Sequence, residues 1–399
     1  MEISKRGILM PSSPIRKLVP FAQKAKEKGV KVYHLNIGQP DIETPRVFYD
    51  YMNKLSDSVV SYSPSDGIRE LKQAFSDYFQ SWEIDVSADE LLVTSGGSEA
   101  ILFALAAVAD PGDEIMLIEP FYANYKGFAN MLGLNVRSAT SKISNGYRLP
   151  ADEELSKALT KRTRAILFSN PSNPTGVVYT ERELRRLIDF ARRNDLYIIC
   201  DEVYREIVFD EIKPSSIMTL DSGQDIIIVD SISKRFSSCG ARIGCVATKN
   251  SELYRTMMKF AQARLSPPTI AQLGTIGLLT LGKEYTDSVR REYELRRNVV
   301  FKELSKIDGI EMQKPSGAFY ISVKLPVEDA EEFVKWMLTD FSYDGSTVMV
   351  APLEGFYSSE GIGRKEVRIA YVLSSEKMKI AIEVLALGLK EYNRLFVSV

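Results

Sequence analysis

Lys234 is the residue whose surroundings in this sequence best suit covalent chemistry. It follows the apolar run 226–229, stands in the serine-rich segment 231–238, and precedes Arg242, which has glycines on both sides. A lysine becomes nucleophilic when burial or nearby cations keep part of it neutral. Hydroxyls, backbone N–H groups and an arginine fork are the groups that bind phosphate. The segment therefore indicates a lysine that forms a Schiff base beside a bound phosphate, although a solvated loop lysine would explain this segment taken alone.

Two upstream segments also place polar residues directly after apolar runs. Asn173 lies in Ser-Asn-Pro-Ser-Asn-Pro-Thr-Gly after residues 165–168, and Asp201 and Tyr204 follow residues 196–200. Ligands of open α/β sheets bind outside the carboxyl ends of the strands. The sequence therefore predicts that these residues and Lys234 meet at one edge of a sheet.

The three segments resemble the class I/II aminotransferase family of fold-type I pyridoxal-phosphate enzymes. The patterns Asn-Pro-x-Asn-Pro-Thr-Gly, Asp-x-x-Tyr and Ser-x-Ser-Lys followed by Gly-x-Arg-x-Gly occur in that family's order and approximate spacing, and the resemblance runs from Ser13 to Arg368. It implies an α/β protein of the PLP-dependent transferase fold type I. The large cofactor-binding domain, with a mostly parallel mixed sheet, would comprise residues 48–290. Residues 1–47 with 291–399 would form a smaller, discontinuous α/β domain.

The resemblance implies pyridoxal 5′-phosphate as the cofactor and gives roles to the residues already singled out. Lys234 would hold it as a Schiff base and later act as general base. Asp201 would face the pyridine nitrogen and keep it protonated. Asn173 and Tyr204 would hydrogen-bond the phenolic oxygen of the ring. Ordinary turn formation after a strand would also explain Asp201 and Asn173.

A further phosphate-binding candidate is the segment 95–100, Ser-Gly-Gly-Ser-Glu-Ala, which precedes a helix-like run. A glycine-containing turn at a helix start presents N–H groups and the positive end of the helix dipole to a phosphate. Structural turns of this kind are at least as common. In the register of the family, Gly97 and Ser98 would bind the phosphate together with Ser231 and Arg242.

Two tyrosines match aromatic positions of the family. Tyr122, in Glu-Pro-Phe-Tyr, corresponds to the aromatic that stacks on the cofactor ring, although its type fits the core equally well. Tyr62, in Ser-Tyr-Ser-Pro-Ser-Asp-Gly, corresponds to the tyrosine that reaches a phosphate across a dimer interface. The resemblance therefore implies a homodimer with shared active sites.

The substrate-binding residues follow from the same register. Arg368 ends the last strand-like run and matches the arginine that clamps the substrate α-carboxylate by a bidentate fork, with Gly38 and Asn173 adding contacts. Arg264, in Ala-Arg-Leu-Ser-Pro-Pro, lies where other aspartate aminotransferases place a distal-carboxylate arginine, offset by about two residues. A solvent-facing interface arginine is the alternative for Arg264, and a solvated edge-strand arginine the alternative for Arg368.

The implied reaction is a ping-pong exchange of an amino group between an L-amino acid and a 2-oxo acid such as 2-oxoglutarate. Aspartate or glutamate is the favoured donor, with aromatic amino acids or alanine next. Where some aspartate-using relatives carry a lysine and a threonine, this chain has Ser98 and Ile15. A carbon–sulfur lyase would use the same cofactor residues and stays an alternative. A non-catalytic regulator would need a DNA-binding module, for which the chain has no spare domain.

The elements that must position these residues follow from the alternation of strand-like and helix-like segments between about residues 47 and 290, which favours βαβ units. Ser13 and Pro14 predict a helix start that leads to Gly29. Residues 284–307 predict a long helix that leaves the large domain. Further helices are predicted at 101–109, 181–194, 330–341 and 376–395. Strands are predicted at 91–94, 114–118, 136–139, 165–169, 197–201, 226–230, 243–248, 319–323, 347–350 and 367–371.

Composition excludes several other classes of function. The chain has 399 residues with a formal net charge of −2, which suits about two globular domains and no strong field for nucleic acid. His34 is the only histidine, so histidine catalysis and histidine-rich metal sites are nearly excluded. The three cysteines predict neither a disulfide framework nor a metal site. The start of the sequence lacks an apolar signal core and no run of about 18 apolar residues occurs, which predicts a cytoplasmic enzyme.

Overall fold

The computed structural model describes residues 1–54 and 59–396, which form alternating helices and strands. The helices are α1 (Lys5–Leu9), α2 (Val19–Glu27), α3 (Arg46–Met52), α4 (Arg69–Ser81), α5 (Gly97–Val108), α6 (Asn124–Leu132), α7 (Asp152–Ala158), α8 (Glu181–Arg193), α9 (Ile217–Leu220), α10 (Ser251–Arg264), α11 (Thr269–Leu279), α12 (Lys283–Leu304), α13 (Ala330–Thr339) and α14 (Ser375–Phe396). No helix of the described chain has both the length and the apolar character needed to cross a membrane.

The strands are short and most are buried. They are β1 (Lys31–His34), β2 (Leu91–Thr94), β3 (Glu114–Glu119), β4 (Asn135–Thr140), β5 (Thr163–Ser169), β6 (Tyr197–Asp201), β7 (Ile226–Ser231), β8 (Gly244–Thr248), β9 (Glu311–Met312), β10 (Tyr320–Lys324), β11 (Ser346–Met349), β12 (Ala351–Pro352) and β13 (Glu366–Ala370).

A seven-stranded sheet in the order β2-β8-β7-β6-β5-β3-β4 organises the centre of the chain. Only β8 runs antiparallel to its neighbours β2 and β7. The central strands are apolar runs, such as Ile226–Val229, because helices cover both faces of the sheet. The parallel strands β5, β6 and β7 therefore all end on one edge, where Asp201 and Ser231 are the last residues of β6 and β7.

The remaining strands form two smaller sheets. One has four strands in the order β12-β13-β10-β9, and the other pairs β1 with β11 in parallel. Their apolar core combines side chains from both ends of the chain, such as Leu18, Leu35 and Ile369, whereas the seven-stranded sheet has separate cores on its two faces. The domain limits 48–290, and 1–47 with 291–399, stay a prediction.

The sequence-based elements agree with this fold except near the start of the chain. The helix predicted from Ser13 begins instead at Val19 as α2. Residues 14–18 form a turn in which the Ser13 carbonyl accepts hydrogen bonds from the amides of Arg16 and Lys17. Pro20, which has no N–H to leave unsatisfied, occupies the first turn of the helix and marks its true start.

Candidate active site

A cavity of about 560 Å³ lies at the carboxyl edge of the seven-stranded sheet. Its walls come from the loops after β5, β6 and β7, the start of α5, the turn after β1, and strands β10 and β13. All the predicted site residues except Tyr62 and Arg264 line it, namely Gly38, Gly97, Ser98, Tyr122, Asn173, Asp201, Tyr204, Ser231, Lys234, Arg242 and Arg368.

Lys234 lies partly buried in this cavity, where its Nζ donates to the carbonyl oxygen of Gly38 at 2.9 Å. The contact joins the β7 loop to the turn after β1, 196 residues away in sequence. A Cβ on Gly38 would clash with the hydroxyl of Tyr320. Only glycine therefore fits beside Tyr320 at this turn, whose carbonyl bonds the lysine.

Asp201 is a buried carboxylate whose hydrogen-bond partners are all neutral. Its Oδ2 accepts from the hydroxyl of Tyr125 at 2.7 Å and its Oδ1 from the amide of Val203 at 3.3 Å. No lysine or arginine of the described chain forms an ion pair with it. Burial raises the pKa of Asp201 to about 6. The Lys234 charge acts on it only from a distance, so no cation of the described chain is in contact with the ionised form.

Tyr204 and Asn173 present neutral polar groups to the same cavity. The Tyr204 hydroxyl lies 2.8 Å from that of Tyr320, and burial raises the pKa of Tyr204 well above its ordinary value. The phenol thus stays protonated. The Asn173 side-chain oxygen accepts from Arg368 at 2.9 Å, which leaves its amide N–H groups as donors.

Small and cationic groups surround one end of the cavity. Helix α5 begins there at Gly97, after Gly96 in the left-handed region with φ 80°. The Ser231 hydroxyl lies 2.8 Å from the hydroxyl of Ser233. The Arg242 guanidinium donates only to the carbonyls of Cys239, at 3.0 Å, and Ser95, at 3.2 Å. Arg242 therefore keeps a charge that no carboxylate of the described chain balances, beside free helix N–H groups.

Arg368 is the most deeply buried cation of the cavity, with 1% of its surface exposed. Its Nη2 donates to the backbone oxygen of Asn36 at 2.6 Å, and its Nη1 bonds Asn173. The guanidinium carbon lies 4.4 Å from the ring centre of Tyr320 and 5.1 Å from that of Phe356. The charge is held between aromatic rings and neutral acceptors, so an anion entering the cavity would meet an unpaired arginine.

Tyr122 lies in the cavity wall with its hydroxyl accepting from Asn124 at 2.7 Å. Burial raises the pKa of Tyr122 to about 12. Its ring packs edge-on against Tyr125, with the centres 5.4 Å apart. The aromatic residue predicted to stack on a ring is thus neutral and firmly placed.

Tyr62 and Arg264 lie outside the cavity of this chain. Tyr62 is 80% exposed, and its predicted role concerned a partner subunit. Arg264 donates to Glu99 at 2.9 Å and to the carbonyl of Ser65 at 2.8 Å, so its guanidinium is held within its own chain. The distal-carboxylate role of Arg264 and the inter-subunit role of Tyr62 stay predictions.

A buried ion network, which the sequence motifs did not reveal, lies behind the loops that carry Asp201 and Lys234. Arg235 bonds Asp230 at 2.7 Å, and Arg205 bonds Glu206 at 3.1 Å and Glu202 at 3.3 Å, all almost completely buried. Arg205 also bonds Asp230 at 3.2 Å, which joins the two loops. Burial alone would raise the pKa of Asp230, but Arg235 and Arg205 outweigh it and the pKa is lowered. The network fixes the two loops relative to each other.

Replacing Arg235 by methionine should destabilise the protein strongly, because Asp230 would lose a buried partner. Breaking a buried pair from one side costs about 3–5 kcal/mol. The measurement is urea unfolding of the cofactor-free protein, with Arg193→Met as the control. Arg193 forms an exposed pair with Asp152, which is worth at most about 1 kcal/mol. Equal, small losses in the two variants would show that the network does not hold the loops.

Comparison with known proteins agrees with this arrangement. Residues 30–385 match the family described as aminotransferase class I and II. The chain is 32% identical to aromatic-amino-acid aminotransferase 2 of Thermococcus litoralis, over 98% of this chain and 99% of that protein. It is 32% identical to the aspartate aminotransferase of Pyrococcus abyssi, again over 98% and 99%.

The fold agrees as well. The solved structure of an alanine aminotransferase from Pyrococcus furiosus superposes with a TM-score of 0.89 at 28% identity, covering 98% of this chain and 100% of that one. The match extends over nearly the whole chain and includes every segment that lines the cavity from Gly38 to Arg368. The chain belongs to the class I and II aminotransferase family.

Proposed function

We propose that this aminotransferase uses pyridoxal 5′-phosphate to move an amino group between an L-amino acid, best aspartate or glutamate, and a 2-oxo acid such as 2-oxoglutarate. The observation that carries the proposal is one cavity lined by Lys234, Asp201 and Arg368, which come from three distant parts of the chain. An amine, a carboxylate and an unpaired guanidinium are the groups that this reaction needs around one carbon atom.

Asp201 supports the cofactor because no cation of the described chain contacts its carboxylate, and pyridoxal phosphate would bring one. A buried carboxylate with only neutral partners is costly. A protonated ring nitrogen would compensate the charge of Asp201 and lower its pKa again. The neutral donors Asn173 and Tyr204 suit the phenolic oxygen of the same ring, and Tyr122 offers a flat neutral face.

The opposite end of the cavity supports the phosphate. The hydroxyls of Ser98 and Ser233 and the first N–H groups of α5 can donate to an anion. The Ser231 hydroxyl donates to the carbonyl of Ile243 at 3.0 Å and can donate to an anion once it turns away from that carbonyl. Arg242 would supply the balancing charge. A Cβ on Gly96 would stand 2.5 Å from Nη2 of Arg242, so the glycine keeps this arginine in reach of the turn.

When bound, pyridoxal phosphate supplies the carbonyl carbon that takes up the amino group and a ring that accepts the electron pair left on Cα. The chain supplies the rest. Nζ of Lys234 would take the proton from the substrate Cα and give it up again later. Arg368 would hold the α-carboxylate, and Asp201 would hold the ring nitrogen in its charged form. The buried rings beside Arg368 keep water away from that carboxylate.

A half-reaction screen tests the proposal. The holoenzyme is mixed with one amino acid at a time and the absorbance is followed from the pyridoxal to the pyridoxamine form. Stoichiometric conversion by an amino acid, reversed by 2-oxoglutarate, is the expected result. Continuous release of pyruvate and ammonia from a cysteine-like substrate, without any 2-oxo acid, would instead identify a carbon–sulfur lyase. No spectral conversion with any amino acid would contradict the proposal.

Changing Arg368 to lysine should weaken every amino acid substrate together. Lysine keeps the charge but loses the fork that binds both carboxylate oxygens. Loss of one charge-assisted hydrogen bond corresponds to roughly a ten- to hundredfold fall in kcat/KM. Steady-state kinetics with aspartate, alanine and phenylalanine measure it. If only the dicarboxylic substrates were impaired, Arg368 would bind the distal group and the assignment would be wrong.

The homodimer is part of the same proposal. Tyr62 is largely exposed in the single chain, and a phosphate-binding role for it requires a second subunit. Cytoplasmic location stays a prediction from the sequence.

A further inference from the structure

The charges that line the cavity do not balance. Four cations face it, from Arg16, Lys234, Arg242 and Arg368, against the single carboxylate of Asp201. In the proposed function, Lys234 takes part in the proton transfer, Arg242 meets the phosphate, and Arg368 meets the α-carboxylate. Arg16 is the remaining cation, and no role for it follows from the cofactor or from the α-carboxylate.

The side chain of Arg16 is available for a ligand. In contrast to the other three cations, it makes no hydrogen bond or ion pair with any residue that the structure describes, although it lines the cavity. It lies near Tyr122, whose hydroxyl it influences as a positive charge. Arg16 is exposed, so its guanidinium lies at the mouth of the cavity. A guanidinium without a partner at that position is a site for a carboxylate.

The backbone that carries Arg16 is firmly placed. The amide of Arg16 donates to the carbonyl of Ser13, and the side chain of Asn36 donates to the carbonyl of Ile15 at 3.0 Å. The Ile15 side chain packs against the small apolar cluster that contains Leu353 and Phe356. Asn36 also accepts from Arg368 through its backbone oxygen, at 2.6 Å. The same residue therefore positions both arginines.

We propose that Arg16 binds the distal carboxylate of dicarboxylic substrates and so makes aspartate, glutamate and their 2-oxo acids the preferred class. The inference rests on the proposed function. Arg264 is a weaker candidate in this chain, because its guanidinium already donates to Glu99 and to the carbonyl of Ser65. Arg16 and Arg368 would then hold the two ends of one dicarboxylate.

Binding of two carboxylates that do not react tests the inference. Succinate and butyrate are titrated calorimetrically into the holoenzyme of the wild type, Arg16→Met, Arg16→Lys and Lys17→Met. Lys17→Met is the matched control, because it removes one positive charge from the neighbouring residue. The Lys17 side chain pairs with Glu331 and does not line the cavity. Arg16→Met should lower the affinity for succinate by about ten- to hundredfold and the affinity for butyrate by less than about threefold. Arg16→Lys should recover part of the succinate affinity, and Lys17→Met should change neither ligand.

The kinetic counterpart is kcat/KM for aspartate and glutamate against alanine and phenylalanine. In Arg16→Met, kcat/KM for the dicarboxylic substrates should fall by about the same factor as the affinity for succinate. For the neutral substrates kcat/KM should fall much less. Equal losses for both classes, or an unchanged affinity for succinate, would overturn the role of Arg16. A wild type that converts no amino acid would overturn the proposed function instead, and the succinate and butyrate titrations would still decide the role of Arg16.

Discussion

Replacing Lys234 by alanine should abolish transamination while the protein still binds pyridoxal phosphate without a covalent bond. The variant loses the only amine that lines the cavity among the described residues, and hence the base for the Cα proton. General acid–base catalysis alone contributes about 10²–10⁴ in rate, and the covalent route is lost in addition. We therefore expect a fall in kcat of at least about 10⁴-fold. Stopped-flow measurement of the half-reaction with aspartate provides the test.

The matched control for this prediction is Lys161→Ala, which removes an exposed lysine from the turn before β5. It should leave both the rate and the cofactor affinity unchanged. The groups assigned to the phosphate do not include Lys234, so the affinity of the Lys234→Ala variant for pyridoxal phosphate should fall far less than its rate. Turnover of that variant within tenfold of the wild type would require another base.

Replacing Asp201 by asparagine should cripple the proton-transfer step, because the neutral amide cannot keep the ring nitrogen charged. A loss of about 3 kcal/mol of transition-state stabilisation corresponds to roughly two orders of magnitude in rate. The half-reaction rate should fall by at least that factor, and the cofactor affinity by less. Near-normal turnover would contradict the role of Asp201.

Although Asp201→Asn should slow the reaction, it should stabilise the cofactor-free protein. The pKa of Asp201 is raised from 3.8 to about 6 in the folded state. The folded state thus binds the proton more tightly, so the carboxylate destabilises the fold progressively as pH rises from about 4 to 6, and fully above that.

We expect cofactor-free Asp201→Asn to be more stable than the wild type at pH 7.5, by about 1–2 kcal/mol after the loss of one hydrogen bond is subtracted. At pH 4 this advantage should disappear. Urea unfolding at the two pH values measures it. A variant that is less stable than the wild type at pH 7.5 would show that the carboxylate is satisfied without a bound cation.

The sequence predicted which residues lie at the carboxyl edge of the sheet, because the end of a strand can be read from a short stretch of sequence. Apolar runs such as 226–229 define buried strands, and the polar residues that follow them, such as Asp201 and Lys234, must then lie at the same edge. The helix start at Ser13 was wrong because Ser-Pro also begins a turn, and only the contacts of the Ser13 carbonyl decide between the two.

The partners of the site residues were not predictable in the same way. Tyr125 bonds Asp201 from 76 positions away, and Tyr320 bonds Tyr204 from 116 positions away, with no motif to connect either pair. Arg205 and Arg235 are buried because they are paired with carboxylates. From their type alone they would be expected at the surface. Such pairings depend on tertiary contacts, and a single sequence carries no signal for them.

Borohydride reduction of the holoenzyme, followed by peptide mapping, tests the central claim most directly. The reduction should fix the pyridoxyl group to one lysine through a stable secondary amine. The account predicts that this lysine is Lys234 and that the Lys234→Ala variant takes up no label. A label on any other lysine, or an equal label in the variant, would contradict it.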